Sequence, residues 1–343
     1  MALKVSVIIP CRNESRYIEA MLRCVLRQDY GRENLEILVA DGMSDDGTAK
    51  IVERIAADHP QVKLIENSER VVPYALNRAL NAASGDIIVR MDAHCEYPIH
   101  YVSRLVEVLI AEGADNTGGV WDTRPGSDTP MAAAIALATT SPFGVGGSRF
   151  RTGADAIMEV DTVPFGCYRR EVFDRIGSFD PDLIRNQDDE FNARLVRAGG
   201  KILLVPDVVI TYFARPTLFK LTSMFYQYGL FKPLAVKKAG GAVTFRQFAP
   251  PIFVLANISG LALGFVNPLS WWILLGANGL HLCVGLWLGL QEAIQRRSAI
   301  LPWLLPIVFY AIHWAYGWGY LVGVFRFILM DRRANPASIE LSR

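Results

Sequence analysis

The sequence predicts an α/β domain built on a mostly parallel sheet, followed by an α-helical membrane domain. Strand-like and helix-like segments alternate from Val5 to Met91, which is typical of a parallel sheet with right-handed crossovers. Charged residues interrupt every apolar run up to about Pro206, whereas they almost disappear from Phe248 to Met330. With 343 residues, 51% of them apolar, the chain is too long and too apolar for one ordinary soluble domain.

The elements of the first domain follow from local patterns. Apolar, β-branched runs predict strands, and apolar residues three and four positions apart predict the helices between them. The predicted strands are Val5–Pro10, Leu35–Ala40, Val62–Glu66 and Asp86–Met91, and the predicted helices include Val72–Ala83 and His100–Ala111. Beyond residue 111 the pattern is looser, and the glycines at Gly118-Gly119 and Gly144–Gly147 predict flexible segments around a pocket, with a lid near Ser141–Asp155.

Charge and cysteine content narrow the function classes. A net charge of +1 without a long basic face argues against nucleic acid as a partner. The five cysteines are scattered and form neither a zinc pattern nor a disulfide framework, which favours a reducing compartment. The first residues show no secretory signal, so we expect the soluble domain in the cytoplasm.

Polar side chains follow the predicted strands where a doubly wound sheet binds nucleotides. The fourth strand ends at Asp92-Ala93-His94, and in extended geometry Asp92 and His94 share a face and could both bind one divalent cation. Asp41 ends the second strand, and a functional role is favoured there. Asp45 and Asp46 fit a functional role and a turn that caps the next helix equally well.

A run of acids opens a predicted helix after Asn186. Asp188, Asp189 and Glu190 are more than the helix macrodipole needs, although that is the simpler explanation. Repulsion between neighbouring carboxylates raises the proton affinity of one of them, which suits a general base.

The membrane part is predicted from length and hydrophobicity. The segment Thr217–Lys237 mixes aromatic residues and lysines, and we expect an amphipathic helix on the membrane surface; a helix packed on a core is the alternative. Three segments are long enough to cross about 30 Å of hydrocarbon, Phe248–Val266, Leu269–Leu290 and Ile300–Phe325. Three spans place the C-terminus outside, yet Arg332, Arg333 and Arg343 prefer the inside, so the number of spans stays open. His313, inside the last segment, is expected to be a packed polar residue.

Several of these motifs, in this order, resemble a known family. They are Val5-Ser6-Val7-Ile8-Ile9-Pro10 with Arg12-Asn13-Glu14, Asp41-Gly42 with Asp46-Gly47-Thr48, Asn77 before Gly85-Asp86, Met91-Asp92-Ala93-His94, and Gln187-Asp188-Asp189-Glu190 with Arg194. Across about 200 residues the chain resembles the large inverting family 2 of nucleotide-sugar glycosyltransferases, and within it the bacterial exopolysaccharide enzymes of the succinoglycan type.

The resemblance implies a GT-A fold, a nucleotide-sugar donor (a UDP-sugar is expected) and a divalent cation. Pro10, Arg12, Glu14 and Asp41 fall where the family contacts the nucleoside. Asp92 falls on the first acid of the family's Asp-x-Asp motif, at the donor and the metal. Asp188 falls on the acid that deprotonates the acceptor hydroxyl.

The chain departs from the family pattern at two positions. His94 stands where the motif has its second Asp, and because imidazole suits softer metals we expect Mn²⁺ rather than Mg²⁺. Gln187 stands where the family has Glu, which leaves Asp189 as a second candidate for the base. Gln227-Tyr228-Gly229-Leu230-Phe231 lacks the Arg and Trp of processive synthases, which favours the addition of a single sugar.

The predicted organisation is a cytoplasmic GT-A domain at 1–215, an amphipathic interface segment at 216–245, transmembrane helices at 246–330 and a tail at 331–343. The predicted function is transfer of one sugar from a nucleotide-sugar to a polyprenyl-linked saccharide in exopolysaccharide synthesis, at the inner (plasma) membrane. A polyprenyl-phosphate glycosyltransferase is the close alternative, and a sugar nucleotidyltransferase or a non-catalytic membrane scaffold is more remote. The donor sugar, the acceptor, the linkage and the oligomeric state are not determined by the sequence.

Overall fold

The structure is a computed structural model that describes residues 3–241 and 244–332. Arg333 and Arg343, which enter the charge argument for the C-terminus, lie outside the described residues. The strands are β1 (Val5–Cys11), β2 (Leu35–Asp41), β3 (Val62–Glu66), β4 (Ile87–Arg90), β5 (Cys95–Glu96), β6 (Asn116–Arg124), β7 (Met158–Glu159), β8 (Cys167–Arg169) and β9 (Ile202–Phe213).

The α-helices among the described residues are α1 (Ile18–Leu26), α2 (Thr48–Asp58), α3 (Val72–Ala82), α4 (Tyr101–Ala111), α5 (Pro130–Thr140), α6 (Pro142–Val145), α7 (Arg149–Thr152), α8 (Arg170–Ile176), α9 (Gln187–Arg197), α10 (Leu218–Lys238), α11 (Ala249–Gly264), α12 (Leu269–Arg296) and α13 (Leu301–Gly323). The four predicted strands correspond to β1 to β4, with each end within one residue of its predicted position. The predicted helices Val72–Ala83 and His100–Ala111 correspond to α3 and α4.

The strand order places a crevice beside β1. Within the described residues the order is β3-β2-β1-β4-β8-β6-β9-β5, with β7 beside β9. The strands β1 to β4 are parallel neighbours, and β8 joins β4 in the antiparallel direction, so the sheet is mixed. Because the chain runs from β1 to β2 and β3 on one side and then crosses to β4 on the other, the order reverses between β1 and β4. Ligands of open α/β sheets bind at the carboxyl ends of the strands at such a reversal.

The glycines Gly118 and Gly119 do not form a flexible segment, which corrects the prediction from sequence. Both lie within β6. A Cβ atom on Gly119 would collide with the carbonyl oxygen of Val208, and one on Gly118 would lie 2.6 Å from Cβ of Val163. These glycines therefore permit close approach of neighbouring backbone and side chains.

The described residues form two compact units. The first comprises residues 3–122 and 153–212, and the second comprises 123–152, 213–241 and 244–332. The segment 123–152, assigned by sequence to the catalytic domain and in part to a lid, thus clusters with the C-terminal helices and contains α5, α6 and α7. Helix α5 could not be predicted from periodicity, because its residues Pro130–Thr140 are mostly apolar or small on every side and show no 3.6-residue repeat.

Helix α13 is central to the second unit. It packs against α5, α10, α11 and α12. Glycines allow backbones to approach closely at these contacts, as in many membrane proteins: Cβ atoms would collide at Gly319 with the carbonyl of Tyr226, and at Gly317 with that of Pro250. Three helical segments are long and apolar enough to cross a membrane, Arg246–Gly264, Leu269–Arg296 and Leu301–Leu329, close to the three predicted from sequence.

His313 has polar partners inside this unit. Its Nε2 lies 2.8 Å from the carbonyl oxygen of Phe143, and its Nδ1 lies 2.8 Å from Nε2 of His281. Because Nε2 donates to the carbonyl, Nδ1 of a neutral ring accepts from His281. Both imidazoles thus pair polar groups in an otherwise apolar helix bundle, in agreement with the packing role expected for His313.

Candidate active site

The first wall of the crevice is formed by the loops that follow β1 and β2. Asn13 joins them, since its backbone N–H donates to Oγ of Ser44 at 2.8 Å and its Oδ1 accepts from the N–H of Asp45 at 3.1 Å. The carboxylate of Asp41 is buried at the end of β2 and accepts the N–H and the hydroxyl of Ser44 at 2.9 and 2.5 Å. The Asp41 carboxylate is therefore fixed before any ligand binds.

Pro10 and Arg12 also lie at this end of β1. Pro10 is within β1, opposite Ala40. The Nη1 of Arg12 donates to the carbonyl oxygen of Arg70 at 3.4 Å, which links the loops after β1 and β3. The four residues expected at the nucleoside thus lie at or just beyond the carboxyl ends of neighbouring strands, with Glu14 buried in the loop after β1.

Asp46 belongs to the turn that precedes α2. Its carboxylate accepts the N–H of Thr48 at 3.0 Å and that of Ser15 at 2.9 Å. Asp46 is exposed, and although desolvation opposes its ionisation, the hydrogen bonds from Thr48 and Ser15 outweigh this and lower the pKa of Asp46. Of the two interpretations from sequence, the contacts of Asp46 fit the capping turn.

The other wall of the crevice is the end of β4, where Asp92 is held from two sides. Nε and Nη2 of Arg90 donate to its two carboxylate oxygens at 2.9 and 3.1 Å. The hydroxyl of the buried Tyr97 accepts the backbone N–H of Asp92 at 2.7 Å. The Asp92 carboxylate keeps 16% of its surface exposed, whereas the Arg90 side chain keeps 6%. Asp92 is thus the exposed end of a buried ion pair.

His94 lies opposite the loop after β1. Its Nδ1 is 3.5 Å from Oε1 of Glu14, and its side chain is 36% exposed. A carboxylate beside one ring nitrogen is the usual arrangement of an imidazole that binds a metal through the other nitrogen. Glu14, expected from the resemblance at the nucleoside, thus also faces the imidazole.

The donor groups present fit a cation that is held mainly by phosphate oxygens. Among the described residues, no group of three or more His, Cys, Asp or Glu side chains could enclose a metal ion. Divalent cations at nucleotide sites commonly use one or two protein ligands and take the remaining oxygens from the phosphates. Asp92, paired with Arg90, and His94, beside Glu14, would be two such protein ligands.

The acid cluster lies in the first turn of α9. Asn186, which precedes the helix, has a left-handed backbone with φ of 60°. Partial burial raises the pKa of Asp188, the charge of Asp189 raises it further, and the charge of Arg90 opposes both. A carboxyl group with a raised pKa is one of the features by which candidate general bases are recognised.

Glu190 and Arg194 support the position of α9. Arg194 pairs with Glu190 at 2.5 Å, and its guanidinium also donates to the carbonyls of Ile176 and, at 2.8 Å, Ser178. These contacts tie the helix to the segment that precedes it. Glu190, the third acid of the cluster, thus has a structural partner.

Asn77 fixes the same segment from the other side. Its Nδ2 donates to the carbonyl oxygen of Phe179 at 2.8 Å, and its Oδ1 accepts the N–H of Phe179 at 3.0 Å. One side chain thus replaces a pair of backbone hydrogen bonds between α3 and the chain that leads to α9.

Strained backbone is concentrated around the crevice. Seven described non-glycine residues have positive φ, and five of them lie in the loops after β1, β2 and β3, before α9, and before β8, where Phe165 lies beside Arg90: Asn13, Met43, Arg70, Asn186 and Phe165. Such conformations cost roughly 1–3 kcal/mol each and are typical of sites where loop geometry serves binding or chemistry.

Two residues around Asp92 were assigned no role from sequence. They are Arg90, which pairs with the carboxylate, and Tyr97, which holds the backbone. Arg90 carried a signal, because a charged residue in the otherwise apolar run Ile87–Met91 requires a partner. No sequence pattern indicated a role for Tyr97, because its contact with the backbone of Asp92 depends on the turn between β4 and β5.

Comparison with known proteins shows the family of the chain. A family model described as Glycosyl transferase family 2 matches residues 6–177. The chain belongs to glycosyltransferase family 2. It is 32% identical over 316 residues to the succinoglycan biosynthesis protein ExoA of Rhizobium meliloti (strain 1021), which covers 92% of this chain and 93% of that protein.

A second relative of this glycosyltransferase has a name that describes an enzyme acting on a lipid-linked sugar. It is the dolichyl N-acetyl-alpha-D-glucosaminyl phosphate 3-beta-D-2,3-diacetamido-2,3-dideoxy-beta-D-glucuronosyltransferase of Methanococcus voltae, 30% identical over 239 residues, 68% of this chain and 74% of the relative.

Among solved structures, the mannosyltransferase PcManGT from Pyrobaculum calidifontis, in complex with GDP-Man and Mn²⁺, is similar with a TM-score of 0.59 and 24% identity, over 93% of this chain and 88% of that one. The fold is GT-A, as predicted.

Proposed function

We propose that this glycosyltransferase is a membrane-bound, inverting enzyme that moves one sugar from a nucleotide-sugar to a lipid-linked saccharide in exopolysaccharide synthesis. The observation that carries the proposal is the buried ion pair of Arg90 with Asp92 at the end of β4, whose guanidinium charge also opposes the rise in the pKa of Asp188 at the start of α9. The succinoglycan relative supports the exopolysaccharide class, and the Methanococcus relative supports a lipid-linked acceptor.

In the proposed reaction the residues have separate tasks. Pro10, Arg12, Glu14 and Asp41 bind the nucleoside, and Asp92 and His94 anchor the diphosphate side. A divalent cation bound there, proposed as Mn²⁺, would neutralise charge that develops on the leaving diphosphate.

Asp188 accepts the proton of the acceptor hydroxyl as that oxygen attacks the anomeric carbon from the face opposite the diphosphate. The bond to the diphosphate breaks in the same displacement, which inverts the anomeric centre. Asp189 is the second candidate for this base.

The proposed setting is the inner (plasma) membrane, with the N-terminal unit in the cytoplasm and the three apolar helices across the bilayer. In this setting a polyprenyl-linked acceptor in the same bilayer would present its sugar on the cytoplasmic side. Alkylation of single cysteines placed in the connection between α11 and α12 and in that between α12 and α13, from each side of the membrane, tests the topology.

The transfer assay uses membranes, a panel of UDP- and GDP-sugars, Mn²⁺ or Mg²⁺, and either a polyprenyl-diphosphate-linked saccharide or a polyprenyl phosphate. Transfer to the saccharide, with inverted anomeric configuration in the NMR spectrum of the product, is the expected result. Transfer only to the phosphate would establish the close alternative, in which no base for an acceptor hydroxyl is needed.

Variants assign the residues. Asp188→Asn should lower transfer by about 10³-fold or more while donor binding is retained, because general base catalysis contributes on the order of 10²–10⁴-fold. Asp92→Ala should lose both transfer and its dependence on the cation. Asp174→Asn, an exposed acid of α8, is the matched control and should behave as the wild type. Full activity of Asp188→Asn together with an inactive Asp189→Asn would move the base by one position.

A further inference from the structure

Arg90 is a charged residue at the end of the apolar strand β4. Its neighbours Val89 and Met91 are fully buried, and Arg90 itself is 5% exposed. An isolated buried charge costs several kcal/mol, so a guanidinium persists in such a place only where partners surround it.

One edge of the Arg90 guanidinium is hydrogen-bonded to Asp92. Nε and Nη2 form a two-point pair with the carboxylate of Asp92, and Cζ lies 5.8 Å from the ring centroid of Phe165. A planar two-point pair fixes the orientation of the carboxylate as well as its position, which a lysine at the same place could not do.

The other end of the guanidinium is buried but unused. Its Nη1 has no hydrogen-bond partner among residues 3–241 and 244–332. Burial alone would lower the pKa of Arg90, whereas the charges of Asp92 and then Asp188 raise it. Asp188 is therefore the second carboxylate within electrostatic reach, and it comes from α9 and not from β4.

We propose that Arg90 positions both carboxylates of the transfer site: it orients Asp92 through Nε and Nη2, and it receives a carboxylate oxygen of Asp188 at Nη1 when the substrates are bound. This inference rests on the proposed function, which gives Asp92 the diphosphate side and Asp188 the acceptor proton. The guanidinium ties the two reacting sides of the crevice together, and its charge opposes the rise in the pKa of Asp188 that burial and Asp189 cause.

Two substitutions separate the two tasks. Arg90→Gln removes the charge, and Arg90→Lys keeps the charge but loses the planar two-point contact. Arg170→Gln is the matched control, because Arg170 is a partly buried arginine whose Nη2 has no hydrogen-bond partner in the part of the chain that the structure describes, and its Nε donates to the backbone carbonyl of Gly85 at 2.5 Å. The measurements are the pH profile of kcat, the KM for the donor, and calorimetric binding of UDP or GDP, whichever binds the wild type, with Mn²⁺.

In Arg90→Gln we expect the acidic limb of the kcat profile to move up by about one pH unit or more, because a neighbouring positive charge typically lowers a carboxyl pKa by about 1–3 units. The charge of Asp189 favours protonation of Asp188, whereas the charge of Arg90 and the backbone N–H groups of Asp188 and Asp189 oppose it; the buried Tyr168 on β8 also interacts electrostatically with Asp188. In Arg90→Lys the acidic limb should stay near that of the wild type, while nucleotide binding weakens about 10–100-fold, as when an orienting partner of a metal ligand is lost.

The inference would be overturned if folded Arg90 variants kept both the acidic limb of the kcat profile and the nucleotide affinity of the wild type. It would also be overturned if Arg170→Gln showed the changes expected for the Arg90 variants. If Arg90→Gln does not fold, the pH profile of kcat and the nucleotide binding of Arg90→Lys test the inference. An active Asp188→Asn enzyme would instead refute the proposed base, so the two failures are distinguishable.

Discussion

The double hydrogen bond between Asn77 and Phe179 should be a stability determinant of the first unit. Asn77→Ala removes both bonds, which measure 2.8 and 3.0 Å, and leaves the N–H and the carbonyl of Phe179 without this partner. The Phe179 ring is 1% exposed and packs at 4.7 Å from that of Phe191, so the segment cannot swing out to water without opening an aromatic cluster.

The magnitude follows from the two bonds. Each contributes about 0.5–1.5 kcal/mol net, and a partly buried group left without a partner adds to the cost, so the free energy of unfolding should fall by about 2–4 kcal/mol. The better helix propensity of alanine offsets roughly 0.5 kcal/mol of this loss. In a unit of this size the melting temperature should fall by about 5–15 °C.

The assay is thermal unfolding of the detergent-solubilised protein followed by near-UV circular dichroism. Asn81→Ala, one turn later on the exposed side of α3, carries the same change in helix propensity without the two bonds and serves as the control. A melting temperature of Asn77→Ala within about 1 °C of this control would refute the reasoning.

Two further substitutions test other parts of the structure. Burial and the charge of Asp189 raise the pKa of Asp188, so the protonated carboxyl group favours folding and that contribution is lost as pH rises through the raised pKa. Asp188→Asn should therefore melt at a higher temperature than the wild type at neutral pH. An equal difference in melting temperature at pH 4.5 and pH 8 would contradict this. Gly319→Ala should weaken the contact of α13 with α10, because its Cβ would collide with a backbone carbonyl, whereas Gly276→Ala, with open space around it, should be neutral in the same melting experiment.

The sequence was sufficient for the elements whose patterns are local. The strands β1 to β4 are buried, β-branched runs that end at turn residues, so they could be placed within one residue. The candidate residues at their ends followed from the rule that parallel strands present their carboxyl ends at one edge. Helix α5 was missed because a helix that is apolar on every side has no periodicity to detect.

Contacts between distant parts of the chain could not be read from the pattern. The sequence placed Arg90 two residues before Asp92, but side chains two apart share a face of every strand, and only the structure shows a two-point pair. Likewise, only the structure puts Glu14 beside His94 and gives both hydrogen bonds of Asn77 to Phe179.

By itself, the sequence determined the α/β sheet, the apolar C-terminal helices and the residues at the strand ends, because hydrophobic periodicity and turn chemistry act over a few residues. The tertiary structure alone decided which of those residues meet. The reversal of strand order beside β1 brings the ends of β1 and β4 to one crevice, and the charge of Arg90, buried where water cannot screen it, acts there on carboxylates almost a hundred positions apart in the chain.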